Sequence, residues 1–234
     1  MPDIEYAFLA DSAPDAYEKA VRKAAACDLQ VATHAIGDRG NRLVLDTYAK
    51  VLGDKASGDH RWRVEHAQVV ALDDIPRFAT LHLIASMQPT HATSDMPWAE
   101  ARVGPQRILG AYAWQRMRAA GVPLALGSDF PVESVNPLLG LYAAVTRQDL
   151  DGKPDGGWQP EQRLTRKQAL TGFTRDAAHA AFMDADVGAL KVGMRADFTV
   201  LDGDPLTVEP ARGIADLRVR STWVDGKTVY SSAR

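Results

Sequence analysis

A chain of 234 residues with 46% hydrophobic and 24% charged residues has the composition of an ordinary globular protein and can bury one substantial core. Its formal net charge of −3 argues against a nucleic-acid-binding protein, because such proteins carry a basic surface. The chain contains no apolar stretch of bilayer-spanning length, and its first residues lack the pattern of a signal peptide. We therefore predict a soluble, cytoplasmic protein that binds neither nucleic acid nor membrane.

Short apolar strands alternate with amphipathic helices over the first part of the chain. A loop rich in Gly, Pro and Asp and a helical region with Thr165 as its N-cap follow them. This alternation is typical of βαβ units, in which outer helices bury a parallel sheet. The predicted strands are 29–35, 62–67, 83–87 and 122–127; the predicted helices are 15–26, 41–52, 73–80, 106–120 and 138–146; the predicted helical region is 164–183, and the predicted loop is 151–162.

The pattern changes near residue 185, where the helical periodicity ends. Three short strands are predicted at 196–201, 217–224 and 228–230, and Asp225-Gly226 between the last two is a strong hairpin signal. We therefore predict a domain boundary near residue 185. The single cysteine, Cys27, cannot form an internal disulfide, and we expect it to be a small buried residue.

Each predicted strand of the αβ part ends in polar residues. They are His34, His66, the cluster from Gln88 to His91, and Asp129. In parallel barrels the loops after the strands meet at one opening, where the active site lies. Four polar strand ends in succession therefore indicate a functional site.

The two histidines are candidate metal ligands. A neutral imidazole at a strand end binds a divalent metal through one nitrogen while its other nitrogen is oriented by an acceptor. The alternative for either residue alone is a hydrogen-bonded histidine of the core or a loop. Because His34 and His66 occupy the same position on successive strands, packing explains the pair poorly.

Asp129 follows an apolar strand and a small-residue turn. A carboxylate there can ligate a metal and accept a proton from the attacking water, the two tasks that metal-assisted hydrolysis requires. The alternative is the N-cap of the next helix. The predicted start of that helix near Pro137 argues against this alternative.

Three further residues are candidate substrate contacts. Gln88 and His91 can hydrogen-bond a carbonyl or a developing oxyanion, or can satisfy backbone groups of a loop. Asp38 either caps a helix or contacts substrate, and the sequence leaves both open. Glu65 alternates to the side of its strand opposite His66, so a packing or salt-bridge role is favoured.

Taken together, these motifs resemble the amidohydrolase superfamily, in particular the amidohydrolase-3 branch that includes N-substituted formamide deformylase-like enzymes. The resemblance covers nearly the whole chain, in the right order. The motifs that carry it are Thr-His-Ala-Ile-Gly-Asp at 33–38, Glu-His-Ala-Gln at 65–68, Gln-Pro-Thr-His at 88–91, Gly-Ser-Asp-Phe-Pro-Val at 127–132, and the tail segments 193–201 and 222–227.

The resemblance implies an α/β fold: 1–184 as the C-terminal half of a distorted TIM (β/α)8 barrel, about strands 5–8, and 185–234 as strands of a small composite β-domain. It implies one or two divalent metal ions, usually zinc, that activate water for attack on a small amide-type substrate at a non-peptide carbon–nitrogen bond. It assigns His34 and His66 to the metal. It assigns Asp129 to the metal and to proton transfer from water to the leaving amine.

One motif of the family is missing from the sequence. Members carry a His-x-His pair on the first strand, and this chain has none and has too few residues before His34 for four strands. We therefore expect the later half of a longer enzyme, inactive alone, which associates with itself or with the missing N-terminal half. The alternatives are a non-catalytic subunit and a metal-free α/β small-molecule-binding domain, which no glycine-rich nucleotide motif supports.

Overall fold

The computed structural model describes residues 14–209 and 211–232, and these residues form two compact units. The first unit comprises the described residues up to Met87 together with Ala99–Leu124. The second unit comprises Gln88–Trp98 and the described residues from Ala125 onward. Each helix in the described ranges is too short or too polar to cross a bilayer.

The elements follow the predicted alternation of strands and helices. The helices of the described chain are α1 (Pro14–Ala26), α2 (Asp38–Leu52), α3 (Ile75–Thr80), α4 (Pro89–Asp95), α5 (Ala99–Arg107), α6 (Trp114–Ala119), α7 (Pro137–Thr146), α8 (Arg166–Phe173), α9 (Arg175–Ala180) and α10 (Gly213–Asp216). The strands are β1 (Ala32–Ala35), β2 (Arg63–His66), β3 (Ile84–Met87), β4 (Leu124–Leu126), β5 (Phe198–Leu201), β6 (Val219–Val224) and β7 (Lys227–Ser231).

The first sheet has the strand order β1-β2-β3-β4, and β1 pairs with β2 and β2 with β3 in parallel. Sequential strands are therefore neighbours, each joined to the next by a helical crossover, as in a (β/α) barrel. The Ala85 N–H donates to the carbonyl of Pro123, which immediately precedes β4. The boundary between the two units falls within β4.

The helix-facing side of β1 carries a buried network of hydroxyl groups. Tyr17 of α1 and Tyr48 of α2 both donate to Thr33 Oγ1, at 2.9 and 2.7 Å. Tyr48 is fully buried and Tyr17 is 3% exposed. Burial raises the pKa of Tyr17 to about 12, and burial likewise raises the pKa of Tyr48 well above its usual value. Both tyrosine hydroxyls therefore stay protonated, and their hydrogen bonds hold α1 and α2 against β1.

The second unit contains α4, α7, α8, α9, α10 and the antiparallel sheet β5-β6-β7. Thr165 begins α8 with a capping box, as its position before the helix predicted. The turn between β6 and β7 places Asp225 and Gly226 at φ values of 53° and 73°, which matches the type I′ hairpin expected for this pair. The first antiparallel strand of the described chain begins at Phe198. The domain boundary near residue 185 stays a prediction.

One predicted helix, 106–120, and the predicted burial of Cys27 were wrong. The segment 106–120 is not one helix, because Tyr112 has a φ of 48° and donates its N–H to the Gln68 carbonyl at 2.7 Å. The predicted helical region 164–183 is confirmed as two consecutive helices, α8 and α9, separated at Thr174, whose φ of −123° and ψ of −90° are not helical. Cys27 is exposed because it lies just beyond the end of α1.

The close approach of Gly110 to the loop after β2 generates a stability prediction. A Cβ at residue 110 would lie 1.8 Å from the Val70 carbonyl oxygen, so Gly110→Ala must displace backbone. We expect this substitution to lower the free energy of unfolding by about 2 kcal/mol or more. Gly40→Ala is the matched control, because its Cβ meets only Ala35 Cβ at 3.9 Å within α2. We expect it to raise the free energy of unfolding by about 0.5–1 kcal/mol in urea titrations.

The raised pKa of Tyr17 generates a prediction for alkaline pH. Between pH 10 and about 12 the unfolded chain loses the Tyr17 proton while the folded chain retains it, so stability falls as pH rises. We expect a loss on the order of 2 kcal/mol over that interval. Tyr17→Phe should flatten this part of the curve of unfolding free energy against pH, whereas the control Tyr230→Phe, at a half-exposed site, should not. Identical curves for wild type and Tyr17→Phe would contradict the assignment.

Candidate active site

His34 lies in β1 on the face opposite the hydroxyl network. Thr33 is directed toward α1 and α2 by its hydrogen bonds to their tyrosines, and neighbouring strand residues point to opposite faces. The His34 side chain is therefore on the other face of the sheet, where it is half-buried. This is the face that forms the interior of a closed parallel barrel.

His66 is the last residue of β2 and lies beside His34. The centroids of the two imidazole rings are 4.3 Å apart and the rings are inclined at 72°. His66 is 9% exposed and has a φ of 71°, in the left-handed region that costs a non-glycine residue on the order of 1–3 kcal/mol. Such strain is found at functional sites, where surrounding structure maintains it. Within the first unit, the structure thus brings together the two histidines predicted from the sequence.

Glu65 occupies the same face as His34. The two residues are register partners in the parallel pairing of β1 with β2, and Glu65 forms an ion pair with Arg63. The ion pair confirms the salt-bridge role favoured by the sequence. The shared face places the Glu65 carboxylate next to His34. Alternation along β2 did not predict this proximity, because it relates Glu65 only to its neighbour His66 and not to residues of β1.

Asp129 lies in the second unit, just after β4. Its φ is 59°, again in the left-handed region, and its Oδ2 is 3.2 Å from Nε2 of His91 in α4. Asp129 is not the N-cap of α7, because the side chain of Asn136 accepts the hydrogen bond from the Leu138 N–H. The capping alternative for Asp129 is therefore wrong, and the carboxylate pairs with an imidazole instead.

A second contact joins α4 to the loop that follows Asp129. The Ser94 hydroxyl donates to Glu133 Oε1 at 2.6 Å, one helical turn after His91. Two apolar side chains of this loop, Phe130 and Val132, are 64% and 69% exposed. The loop thus presents apolar surface next to the carboxylate of Asp129.

The other predicted substrate contacts lie at helix starts. Gln88 is buried and immediately precedes α4, so the cluster from Gln88 to His91 forms the first turn of a helix and not a loop. Asp38 is the first residue of α2, and its Oδ2 accepts a hydrogen bond from Arg107 Nε at 2.9 Å. A substrate role for Gln88, His91 or Asp38 stays a prediction.

The donor atoms in each unit suit a divalent metal ion. Imidazole nitrogen and carboxylate oxygen are the usual ligands of catalytic zinc, and each unit offers a pair of such groups, His34 with His66 and His91 with Asp129. The sequence reasoning missed the contact between His91 and Asp129, since the two residues are far apart in the chain. It also missed Asn41, a buried amide in α2 that no motif singled out.

Comparison with known proteins identifies the family of the chain. The family model described as "Amidohydrolase family" matches residues 6–230. Protein LONG AFTER FAR-RED 3 of Arabidopsis thaliana is 38% identical over 203 residues, which are 86% of this chain and 34% of that protein. N-substituted formamide deformylase of Arthrobacter pascens is 31% identical over 224 residues, which are 94% of this chain and 40% of that protein.

A solved structure supports the fold. The crystal structure of an uncharacterized metal-dependent hydrolase from Pyrococcus horikoshii OT3 superposes with a TM-score of 0.73 and 30% identity, over 85% of this chain and 39% of that one. This similarity confirms the predicted α/β fold class with its parallel sheet and separate antiparallel sheet. The chain therefore spans well under half the length of these relatives. The match over residues 6–230 shows that this chain belongs to the amidohydrolase family, in the amidohydrolase-3 branch that its motifs indicated.

Proposed function

We propose that the chain supplies the later half of a metal-dependent hydrolase that cleaves non-peptide carbon–nitrogen bonds of small amide or formamide-type substrates. The observation that carries the proposal is the pair of imidazoles on adjacent parallel strands, with ring centroids 4.3 Å apart. Membership of a family that includes N-substituted formamide deformylase supports the choice of bond. A cytoplasmic location also stays part of the proposal.

His34, His66 and Asp129 are the proposed metal ligands, with zinc as the proposed ion in one or two copies. When bound, such an ion supplies Lewis-acid activation of water and of the substrate carbonyl. Three ligands of this kind match the number that catalytic zinc sites use. His91 is a further candidate, since its Nε2 already lies 3.2 Å from the Asp129 carboxylate.

Asp129 is the proposed proton carrier. As the oxygen of water bonds to the substrate carbonyl carbon, Asp129 Oδ accepts the released proton. It then gives this proton to the amine nitrogen as the carbon–nitrogen bond breaks, so that the amine leaves neutral. His91 Nε2 lies 3.2 Å from Oδ2 of this carboxylate. Gln88 and Asp38 are the proposed contacts to the rest of the substrate.

A second candidate function is a non-catalytic subunit that is active only with a separate N-terminal half. It is favoured by the absence of a His-x-His motif from the sequence and by the share of the relatives that the chain spans, 34% and 40%. Assay of the chain alone separates the two candidates. Metal-dependent hydrolysis of an N-substituted formamide by this chain would contradict the subunit hypothesis.

Zinc titration of the purified chain tests the proposed ligands. We expect His34→Ala and His66→Ala each to raise the dissociation constant for zinc more than tenfold in calorimetry, because each removes a ligand. The exposed His82 provides the matched control, and His82→Ala should leave zinc affinity unchanged. Equal affinities for wild type and both ligand variants would reject the proposed site.

Asp129→Asn tests the proton carrier in the same enzyme. An amide of the same shape cannot accept and return a proton, so we expect kcat to fall by about 100-fold or more where turnover is measurable. Retention of wild-type kcat with wild-type zinc content would exclude Asp129 from proton transfer.

A further inference from the structure

Asn41 lies in α2, has no exposed surface, and sits between the loops that follow β1 and β2. These are the loops that leave the strands directly after His34 and His66. All of these residues belong to the first unit. A fully buried amide side chain is uncommon, and its hydrogen bonds explain its presence.

The amide nitrogen of Asn41 is surrounded by backbone carbonyl oxygens. Nδ2 lies 3.2, 3.3 and 3.0 Å from the oxygens of Ala35, Ile36 and Gly37, which form the exit from β1. It also lies 3.1 Å from the carbonyl oxygen of Val69, three residues after His66. With two hydrogens and acceptors on both loops, this one group hydrogen-bonds the two loops together.

A backbone hydrogen bond acts between the same two loops. The Val69 N–H donates to the Ile36 carbonyl at 2.8 Å, so both polar groups of Val69 are held, one by the β1 loop and one by Asn41. The chain following His66 is thereby tied to the chain following His34. The hydrogen bond from Val69 to Ile36 lies one residue after the end of β1 and three residues after the end of β2.

We propose that Asn41 is a positioning residue that sets the separation of His34 and His66 as metal ligands. This inference rests on the proposed function and extends it to a residue that does not touch metal or substrate. The left-handed backbone at His66 and Ala67, with φ values of 71° and 43°, needs such a restraint, because relaxation of these residues would move the His66 ring relative to His34.

Other side chains at residue 41 cannot replace this arrangement. An aspartate would direct a carboxylate at four carbonyl oxygens and repel them, and a leucine of similar volume would leave these carbonyls without their donor. A serine retains a donor, but it is too short to reach the Val69 carbonyl from α2. The Asn41 amide thus combines a donor with the reach to span both loops.

The test is the zinc dissociation constant of the full chain in four forms. They are wild type, His34→Ala, Asn41→Ala and Val21→Ala, with Asn41→Ser as the milder variant if Asn41→Ala does not fold. Val21 is a buried residue of α1 whose apolar side chain cannot hydrogen-bond either loop, so Val21→Ala controls for a loss of stability alone. The thermal midpoint of unfolding is measured on the same samples, so that zinc affinity is compared between variants of similar stability.

We expect Asn41→Ala or Asn41→Ser to raise the zinc dissociation constant by about 10- to 100-fold, the usual effect of losing a residue that orients a ligand. Val21→Ala should bind zinc as wild type does. Weak binding by His34→Ala together with wild-type binding by the Asn41 variants would overturn the inference and leave the proposed function intact. Equal binding by wild type and His34→Ala would reject the proposed function, and the inference with it.

Discussion

The parallel pairing of β1 with β2 is the constraint on which the candidate site depends. Register places His34 opposite Glu65 and Ala35 opposite His66, so the ends of the two strands lie side by side. Parallel strands require a helical crossover, and α2 is that crossover. Because α2 begins shortly after β1, its first turn, which contains Asn41, lies beside the ends of both strands. The hydrogen bonds of the Asn41 side chain are a consequence of the same topology.

Two candidate ligands share an unfavourable backbone conformation. His66 and Asp129 both have positive φ, at 71° and 59°; His66 is the last residue of β2, and Asp129 lies three residues after β4. A regular strand would direct successive side chains to opposite faces of the sheet, whereas a left-handed residue at the strand end re-aims its side chain. In each unit an imidazole lies beside the left-handed residue: His34 lies beside His66, and His91 lies beside Asp129. The arrangement is the kind expected where chemistry outweighs local stability.

The relationship between this chain and its relatives bears on activity. The chain spans 34% and 40% of the length of two of its relatives, and its sequence contains no His-x-His motif. Two histidines and an aspartate are enough to hold a cation, yet hydrolysis also needs a closed site that excludes bulk water. Zinc affinity and turnover therefore test different parts of the proposed function.

The sequence by itself determined the alternation of strands and helices, the change to antiparallel strands, the Asp225-Gly226 hairpin and the family, because these depend on local periodicity, turn chemistry and short motifs. It also singled out His34, His66 and Asp129 as strand-end groups. Only the tertiary structure decided that 106–120 is not one helix, that His91 pairs with Asp129, and that Asn41 bridges two loops. Each of these depends on contact between segments distant in the chain, and local sequence patterns carry no information about such contacts.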